Sequence, residues 1–280
     1  MSNSELMPLE EVHVLLLYLL KQINFITEKE NIPYFSHGGT TLGAVRHKGF
    51  IPWDDDIDLM MERKYYDQFV AACNRLLPKE VVIRTRENDP YFCEEYIKIC
   101  YRDEKCKYSD LSIDIFILDE TNPDRKLFRA IMNKVIRWIR PVKLYKVSRK
   151  ADYIETYVPH SKLKHIVLAV LSIIPLNWLT NLQTKAMLAE KKTTDWYVDW
   201  GSISPYYRAT WPKDYYSRRI KLPFENLYVY ASDKYLQILE RGYGKNYMEL
   251  PPVEKRKSHS VHRINNQSLD FEIIKKSVQE

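Results

Sequence analysis

Ser36–Met61 reads SHGGTTLGAVRHKGFIPWDDDIDLMM, and its two halves narrow the fold more than any other part of the chain. The first half is a Gly38-Gly39 turn followed by Thr40 and Thr41, either of which can cap a short helix running to Arg46, with Gly49 as its stop. The second half alternates. From Asp56 to Met61 a strand puts Asp56, Asp58 and Met60 on one face and Ile57, Leu59 and Met61 on the other. Two carboxylates on the same face of a strand can ligate one hard cation or bridge two, and magnesium is usually held by one or two carboxylates plus substrate phosphates. Backbone N–H groups of a Gly-rich turn entering a helix can cradle phosphate. Arg46 and Lys48, just downstream, can neutralise charge on a transferring group. A lone D-x-D or a lone Gly-Gly is usually only a turn; their combination within one short stretch points to phosphoryl chemistry.

Outward from this stretch, residues 8–28 open with Pro8 and two glutamates and then run apolar, which predicts a buried helix. A strand over Ile32–Ser36 leads into the turn. An amphipathic helix is expected over residues 63–77, ending before Pro78, then strands over Val81–Thr85, Tyr96–Tyr101 and Leu111–Leu118. In the last of these Leu111, Ile113, Ile115 and Ile117 share a face, and Asp114 points the other way. An acid in an apolar strand needs a partner, because an unpaired buried charge is costly. If this strand neighbours the first, Asp114 reaches the same cation, and a two-metal arrangement with ions about 3.5–4 Å apart becomes feasible.

Residues 124–192 read as helical, basic and apolar together. The run Ile166–Leu176 is far shorter than the ~20 residues a membrane span needs. Two readings stay open: a helix lying in a membrane interface, with Trp138, Trp178 and lysines at the water boundary, or a packed helical subdomain. Beyond Ser202 the chain is aromatic-rich, with LPFENLYVYAS as a strand and a last helix over Asp233–Arg241. The 280 residues are 45% hydrophobic and 29% charged, which fits a folded protein, and the net charge of +6 falls short of a nucleic-acid footprint. Cys73, Cys93, Cys100 and Cys106 lack both metal-site spacing and disulfide density, and the acidic start MSNSELMPLEEV does not look like a signal peptide, so a reduced, cytoplasmic setting is expected.

The stretch Ser36–Met61 resembles the signature of the LicD family, which includes bacterial phosphocholine transferases and is related to fukutin and fukutin-related protein. The resemblance extends to SIDIFILD (residues 112–119) and to YGKNYMELPPVEKRKSH (residues 243–259). It implies a nucleotidyltransferase-like core, with a mixed sheet and flanking helices; with the helical subdomain, membrane-facing or packed, read from residues 124–192, an α+β fold is expected. Residues 1–120 are expected to form the catalytic core, 121–200 the helical subdomain and 201–280 a segment completing the active site. The family's bacterial members move phosphocholine from CDP-choline to a sugar hydroxyl of teichoic acid or lipopolysaccharide precursors, releasing CMP. Carried over, Asp56 and Asp58 match the metal-binding acids, with Asp54 as a helper, and Asp114 matches a third acid that orients or deprotonates the acceptor hydroxyl. Gly38, Gly39, Thr41 and Arg46 would hold donor phosphates; Lys255, Arg256 and His259 would bind phosphate or the cytidine end. Mg2+, or Mn2+, is the implied cofactor. A CDP-linked donor, a lipid-linked glycan acceptor and the inner membrane surface are the implied partners, and nucleic acid is not among them.

Plainer roles exist for several of these residues. Asp54 and Asp55 read equally well as loop acids and the Lys255–Lys257 run as a solvated surface; His37 and Trp53 are helper candidates, His37 either touching substrate or bonding the turn, Trp53 more a pocket wall than a base-stacking platform. A quaternary ammonium sits on aromatic faces, but with 21 Tyr and 6 Trp the sequence names no particular cage. A nucleotide-sugar glycosyltransferase using its D-x-D, a haloacid-type phosphatase and a non-catalytic membrane-associated binding protein are the competing classes. Acids at all three strand positions weigh against the last. Asp58 followed by Leu-Met weighs against the phosphatase.

Overall fold

Pro8 ahead of the first turn, Glu10 and Glu11 within it and Lys29 at the far end set the limits of α1, Leu9–Lys29. Val12, Leu15, Leu16, Leu19, Leu20, Ile23 and Ile26 recur at three- and four-residue spacing and are essentially fully buried. Each such side chain contributes about 1.5–3 kcal/mol on leaving water. The computed structural model describes residues 7–89, 91–103, 107–148, 161–190, 192–201, 209–257 and 270–279. They divide into two units: Met1–Arg84, Tyr96–Ile117 and Pro212–Glu280 form the first, Thr85–Glu95 and Leu118–Trp211 the second. The fold is α+β.

In the first unit α1 leads to β1, Phe35–Ser36, then α2, Gly38–Arg46, and β2, Ile57–Glu62. A 3-10 turn over Arg63–Tyr65 precedes α3, Tyr66–Leu76, and β3 (Val81–Arg84), β4 (Ile97–Asp103) and β5 (Lys107–Glu120) follow. The strands lie in the order β1-β2-β5-β4-β3. β4 and β5 run antiparallel with Ile97 opposite Ile115, Lys98 opposite Asp114 and Ile99 opposite Ile113. Because side chains alternate, that register sorts the sheet into two faces. Ile83, Ile97, Ile99, Tyr101, Ile113 and Ile115 join the residues of α1 and α3 in one core, and the Tyr101 hydroxyl donates to the Leu15 carbonyl on α1 at 2.9 Å. Lys98, Ser112 and Asp114 stand at the intervening positions, on the opposite face.

β1 is shorter than the expected Ile32–Ser36 strand. Asn31 turns at φ 54° and Pro33 has no N–H to give a ladder, so pairing starts only at Phe35, opposite Met60. The expected threonine cap also differs. α2 begins at Gly38 with His37 at its cap position and no side-chain cap bond, so Thr40 and Thr41 lie inside the helix and bond to neighbouring strands instead.

In the second unit, α4 (Lys126–Ser148), α5 (Lys162–Leu171) and α6 (Leu176–Met187) share a core of Ile139, Val142, Tyr145, Leu168 and Leu179. The Lys143 side chain is fully buried and paired with Glu95 at 3.0 Å, and it also donates to Gln183 Oε1 at 2.9 Å. Arg140 pairs with Glu94 at 2.8 Å. Lys146 donates to the carbonyls of Ser172 and Ile174, tying the α5–α6 corner to α4. No described helix is long and apolar enough to cross a membrane; α5 and α6 would pass that test only together, and they are bent by 97°. The end of β5 pairs antiparallel with β6, Trp196–Asp199, which pairs with β7, Thr210–Pro212.

The stretch expected as one strand, LPFENLYVYAS, lies within a hairpin in the first unit. β8 (Arg219–Phe224) and β9 (Leu227–Ser232) are antiparallel, with Glu225 at φ 52° making the reversal. α7 is Tyr235–Tyr243. A further helix, α8 (Phe271–Gln279), buries only Ile274 and Val278, a pattern too short to stand out by periodicity. Cys73, Cys93 and Cys100 are free thiols; Cys106 lies outside the described residues.

Candidate active site

The joint between β1, α2 and β2 is held by paired bonds. His37 N–H donates to the Asp58 carbonyl at 2.9 Å, and Asp58 N–H donates to Thr40 Oγ1 at 2.8 Å. Gly38 sits there at φ +54°, a conformation that an L side chain adopts only with strain. Gly39 answers a different need: a Cβ on it would lie 2.6 Å from Asp54 Oδ2, so its hydrogen gives the Asp54 carboxylate room against the first turn of α2. A helix N-terminus favours negative charge, and here the protein's own carboxylates stand beside it.

The acidic loop is anchored at its backbone. Asp54 N–H donates to the Ile51 carbonyl at 2.8 Å. The Asp54 carbonyl accepts from His13 Nε2 at 2.7 Å; since a carbonyl only accepts, that nitrogen carries the proton. The His13 ring stacks on Phe50 with centroids 3.9 Å apart.

Ligand oxygens of Asp54, Asp55 and Asp56 all lie within 4.8 Å of one another. The Asp58 carboxyl is pushed well above the usual carboxylate range, first by burial, then by the charges of Asp56, Asp114 and Asp54, with Lys98 pulling back. Asp114 is ion-paired with Lys98 at 3.1 Å and accepts from Ser112 Oγ at 2.9 Å. Carboxylates crowded to this degree are a hard-oxygen donor set of the kind a divalent ion such as Mg2+ takes. The group fits.

Asp54, Asp56 and Asp58 line a cavity of about 440 Å3, together with Gly39, Arg46 and Trp53. The rest of the lining comes from residues after β9, including Tyr243, Tyr247 and Glu249. Arg46 Nη1 donates to the carbonyls of Tyr247 and Glu249 at 3.0 and 3.2 Å, so part of its guanidinium fastens that part of the lining. The Arg256 guanidinium lies 5.3 Å from the Trp53 ring centroid. Its charge and burial both push the Arg46 pKa down, burial more strongly.

Several residues marked in the sequence fall elsewhere. Thr41 is 2% exposed, and its hydroxyl meets Ser36 Oγ at 2.8 Å; it does not line the cavity, because the helix starts earlier than expected and turns it inward. Lys255 is exposed, and His259 lies outside the described residues. The His37 ring packs edge-on toward Phe116 at 6.4 Å. Part of the residue reaches the surface, yet burial holds its pKa down to about 4.

Three side chains at this centre were not singled out by sequence. Tyr243 ends α7, and a Cβ on Gly38 would lie 3.7 Å from its hydroxyl. Burial, then the charges of Asp54, Asp58 and Asp56, raises its pKa. It opens the YGKNYMELPP segment, whose local pattern does not set this tyrosine apart from the chain's 21. His13 and Lys98 carried no local signal, since each acts on a partner distant in sequence.

Comparison with known proteins identifies relatives of the chain. The family model described as LicD/FKTN/FKRP, nucleotidyltransferase domain, matches residues 31–127. The chain is 31% identical over 263 residues to the lipopolysaccharide cholinephosphotransferase LicD of Haemophilus influenzae, covering 90% of this chain and 96% of that one. An uncharacterized protein of Rickettsia typhi is 37% identical over 114 residues, 39% of this chain and 30% of its own. A solved structure, ANT(2")-Ia in complex with adenylyl-2"-tobramycin, overlaps 61% of this chain and 95% of its own at 14% identity; its TM-score of 0.27 carries no weight.

Proposed function

The chain belongs to the LicD family, and from that premise we propose that it transfers phosphocholine, or a related alcohol phosphate, from a CDP-activated donor to a sugar hydroxyl of a lipid-linked cell-surface glycan precursor, of the lipopolysaccharide or teichoic acid type, releasing CMP. The observation that carries the proposal is the meeting of Asp54, Asp56 and Asp58 in one cavity with Arg46, while Asp114 bears electrostatically on Asp58.

In this reading Asp56 and Asp58, with Asp54 beside them, hold Mg2+ or Mn2+, which when bound supplies neutralisation of charge on the donor diphosphate. Arg46 and Arg256 face the phosphates from the other side, where a guanidinium can make paired bonds to phosphate oxygens. Trp53, already covered by Arg256, serves as a wall. Asp114, its orientation fixed by Lys98 and Ser112, receives the proton of the acceptor hydroxyl. The hydroxyl oxygen bonds to the choline-bearing phosphorus, the diphosphate bridge to that phosphorus breaks, and CMP leaves. The chain's own contribution is position and charge.

The acceptor is anchored in lipid, so the enzyme works as a peripheral protein at the cytoplasmic face of the membrane. Ile173 and Trp178, at the α5–α6 corner, are 80% and 72% exposed, which supports that placement.

A donor screen tests the assignment. Wild type and Asp58→Asn are incubated with Mg2+, an acceptor glycolipid and CDP-, UDP- or GDP-linked donors, and nucleotide release is measured. CMP release from CDP-choline by wild type, reduced at least about 100-fold in the variant, is expected, the scale of losing a charge-stabilising group. Release from a UDP- or GDP-sugar alone would move the chain to the glycosyltransferase class, and full activity of Asp58→Asn would sink the metal assignment.

A further inference from the structure

Tyr243 is the last residue of α7 and lines the same cavity as Asp54, Asp56 and Asp58. Half of the residue is exposed, yet its hydroxyl reaches the acids. A Cβ on Gly38 would lie 3.7 Å from that hydroxyl and 3.7 Å from Asp58 Oδ2 alike. Despite this closeness, the hydroxyl makes no hydrogen bond among the described residues; the charges of the three acids act on it through space. Ionised carboxylates only accept hydrogen bonds, whereas a phenol donates. Tyr243 therefore brings an unused donor to a cluster of acceptors.

The guanidinium donors of the cavity are largely engaged already. Arg46 Nε donates to His47 Nε2 at 2.9 Å, and Nη1 donates to the carbonyls of Tyr247 and Glu249 at 3.0 and 3.2 Å, which leaves Nη2 for a ligand. Arg256 Nε donates to the Pro251 carbonyl at 2.8 Å. A phosphate in this cavity thus meets fewer arginine N–H groups than two guanidinium groups carry, and the phenol adds one O–H.

Tyr243 is also held on both sides. Leu239, one turn earlier on α7, is buried with Leu42 and Ile51. Gly244 follows at φ +86°, its N–H donating to the Glu240 carbonyl at 2.8 Å, and closes the helix directly behind the tyrosine. Farther on, the Arg46 bonds fix the backbone at Tyr247 and Glu249. A donor whose backbone is fixed in advance needs little reorganisation when charge develops beside it, which is the condition for strong stabilisation of a transition state.

We propose that Tyr243 is a catalytic residue of the transfer: its phenol O–H donates a hydrogen bond to a non-bridging oxygen of the phosphate being transferred, while the acceptor oxygen bonds to phosphorus and the bridge to CMP breaks. The phenol keeps its proton and forms no covalent bond. This inference rests on the reaction given above and deepens it, by assigning a group that contacts the reacting phosphate.

CMP release from CDP-choline, with Mg2+ and an acceptor glycolipid, is compared for wild type and Tyr243→Phe. The variant keeps the ring at a half-exposed position, and an unchanged melting temperature verifies folding. Its kcat should fall by about 100-fold, the scale of removing one donor from developing negative charge, while KM for the donor changes little. Mg2+ affinity, read from the Mg2+-dependent rise in melting temperature, should stay the same. An unchanged kcat, or a change confined to KM, overturns the proposal. So does a loss of Mg2+ affinity that accounts for the loss of rate, because Tyr243 would then be a support for the carboxylates. CDP-choline with sulfur in place of one non-bridging oxygen on the choline-bearing phosphorus supplies a second readout. Sulfur accepts hydrogen bonds poorly, so for one of the two diastereomers the losses from sulfur and from Tyr243→Phe should fall well short of additive; additive losses for both overturn the assignment. A wild type that releases no CMP from CDP-choline sinks the proposed reaction and this inference with it, whereas an active wild type matched by Tyr243→Phe sinks this inference alone.

Discussion

Replacing Asp56 by asparagine should make the metal-free protein more stable. The ligand oxygens of Asp54, Asp55 and Asp56 lie within 4.8 Å of one another, and two unit charges about 4.8 Å apart repel by ~3.5 kcal/mol at an effective dielectric constant near 20 and ~0.9 kcal/mol in bulk water. Asp56→Asn removes one charge from two such pairs and one of the charges that raise the Asp58 carboxyl. Cations nearby, Arg46 among them, offset part of the gain. A net stabilisation on the order of 1–3 kcal/mol remains, and at about 2–4 °C per kcal/mol the melting temperature should rise by at least about 2 °C. Thermal unfolding in EDTA reads this directly. Added Mg2+ should reverse the order: wild type gains ~2.7 kcal/mol at a hundredfold excess over Kd, and the variant, lacking a ligand, gains much less. A site kept for function at the expense of stability gives that crossing. If Asp56→Asn is instead less stable in EDTA, and Mg2+ lifts both proteins equally, these carboxylates are structural groups satisfied by their own partners and no metal centre exists here.

His37 provides a pH test. Its folded pKa of about 4 lies below the ordinary value of 6.5, so the unfolded chain takes up the proton first as pH falls. Stability is then complete above pH 6.5 and declines as the pH drops from there toward 4, by about 3 kcal/mol; His37→Gln should remove that slope in denaturant titrations compared across this range, and an identical slope refutes the attribution. Gly39→Ala should displace the Asp54 carboxylate, lowering nucleotide release by about 10–100-fold with little change in melting temperature; unaltered kinetics would mean that Asp54 is dispensable. Leu168 is fully buried, so Leu168→Ala should cost about 2–5 kcal/mol by cavity formation, detected as a loss of unfolding free energy in urea, and a neutral result would show that the α4–α6 core is loosely packed.

That last position shows a limit of reading a helical run without its partners. Leu168 and Ile173 belong to the same apolar stretch, yet one is at 0% exposure and the other at 80%. Hydropathy treats them alike; only the placement of α4 against α5 separates core from surface. Thr41 and Arg46 make the same point in the site. Both follow the Gly-Gly turn, but the register of α2 sends one inward to Ser36 and the other toward the carbonyls of Tyr247 and Glu249. Strand residues fared better. The strand begins at Ile57, one residue later than the alternation suggested, yet Asp56 just ahead of it and Asp58 within it both line the cavity. The interruption of β1 by Pro33 was also legible in principle, since the missing N–H is written in the residue itself.

By itself the sequence carried the family through its resemblance, and it marked the close pair Asp56 and Asp58 and the isolated acid of β5 because these follow from local spacing and side-chain chemistry. Tertiary structure alone decided that Lys98 faces Asp114, that His13 holds the Asp54 backbone from 41 residues away, that Tyr243 comes among the acids and that one face of α5–α6 is left to solvent. Such contacts are selected by the free energy of packing whole elements together, which is shared among residues far apart in the chain and leaves no periodic trace near any one of them.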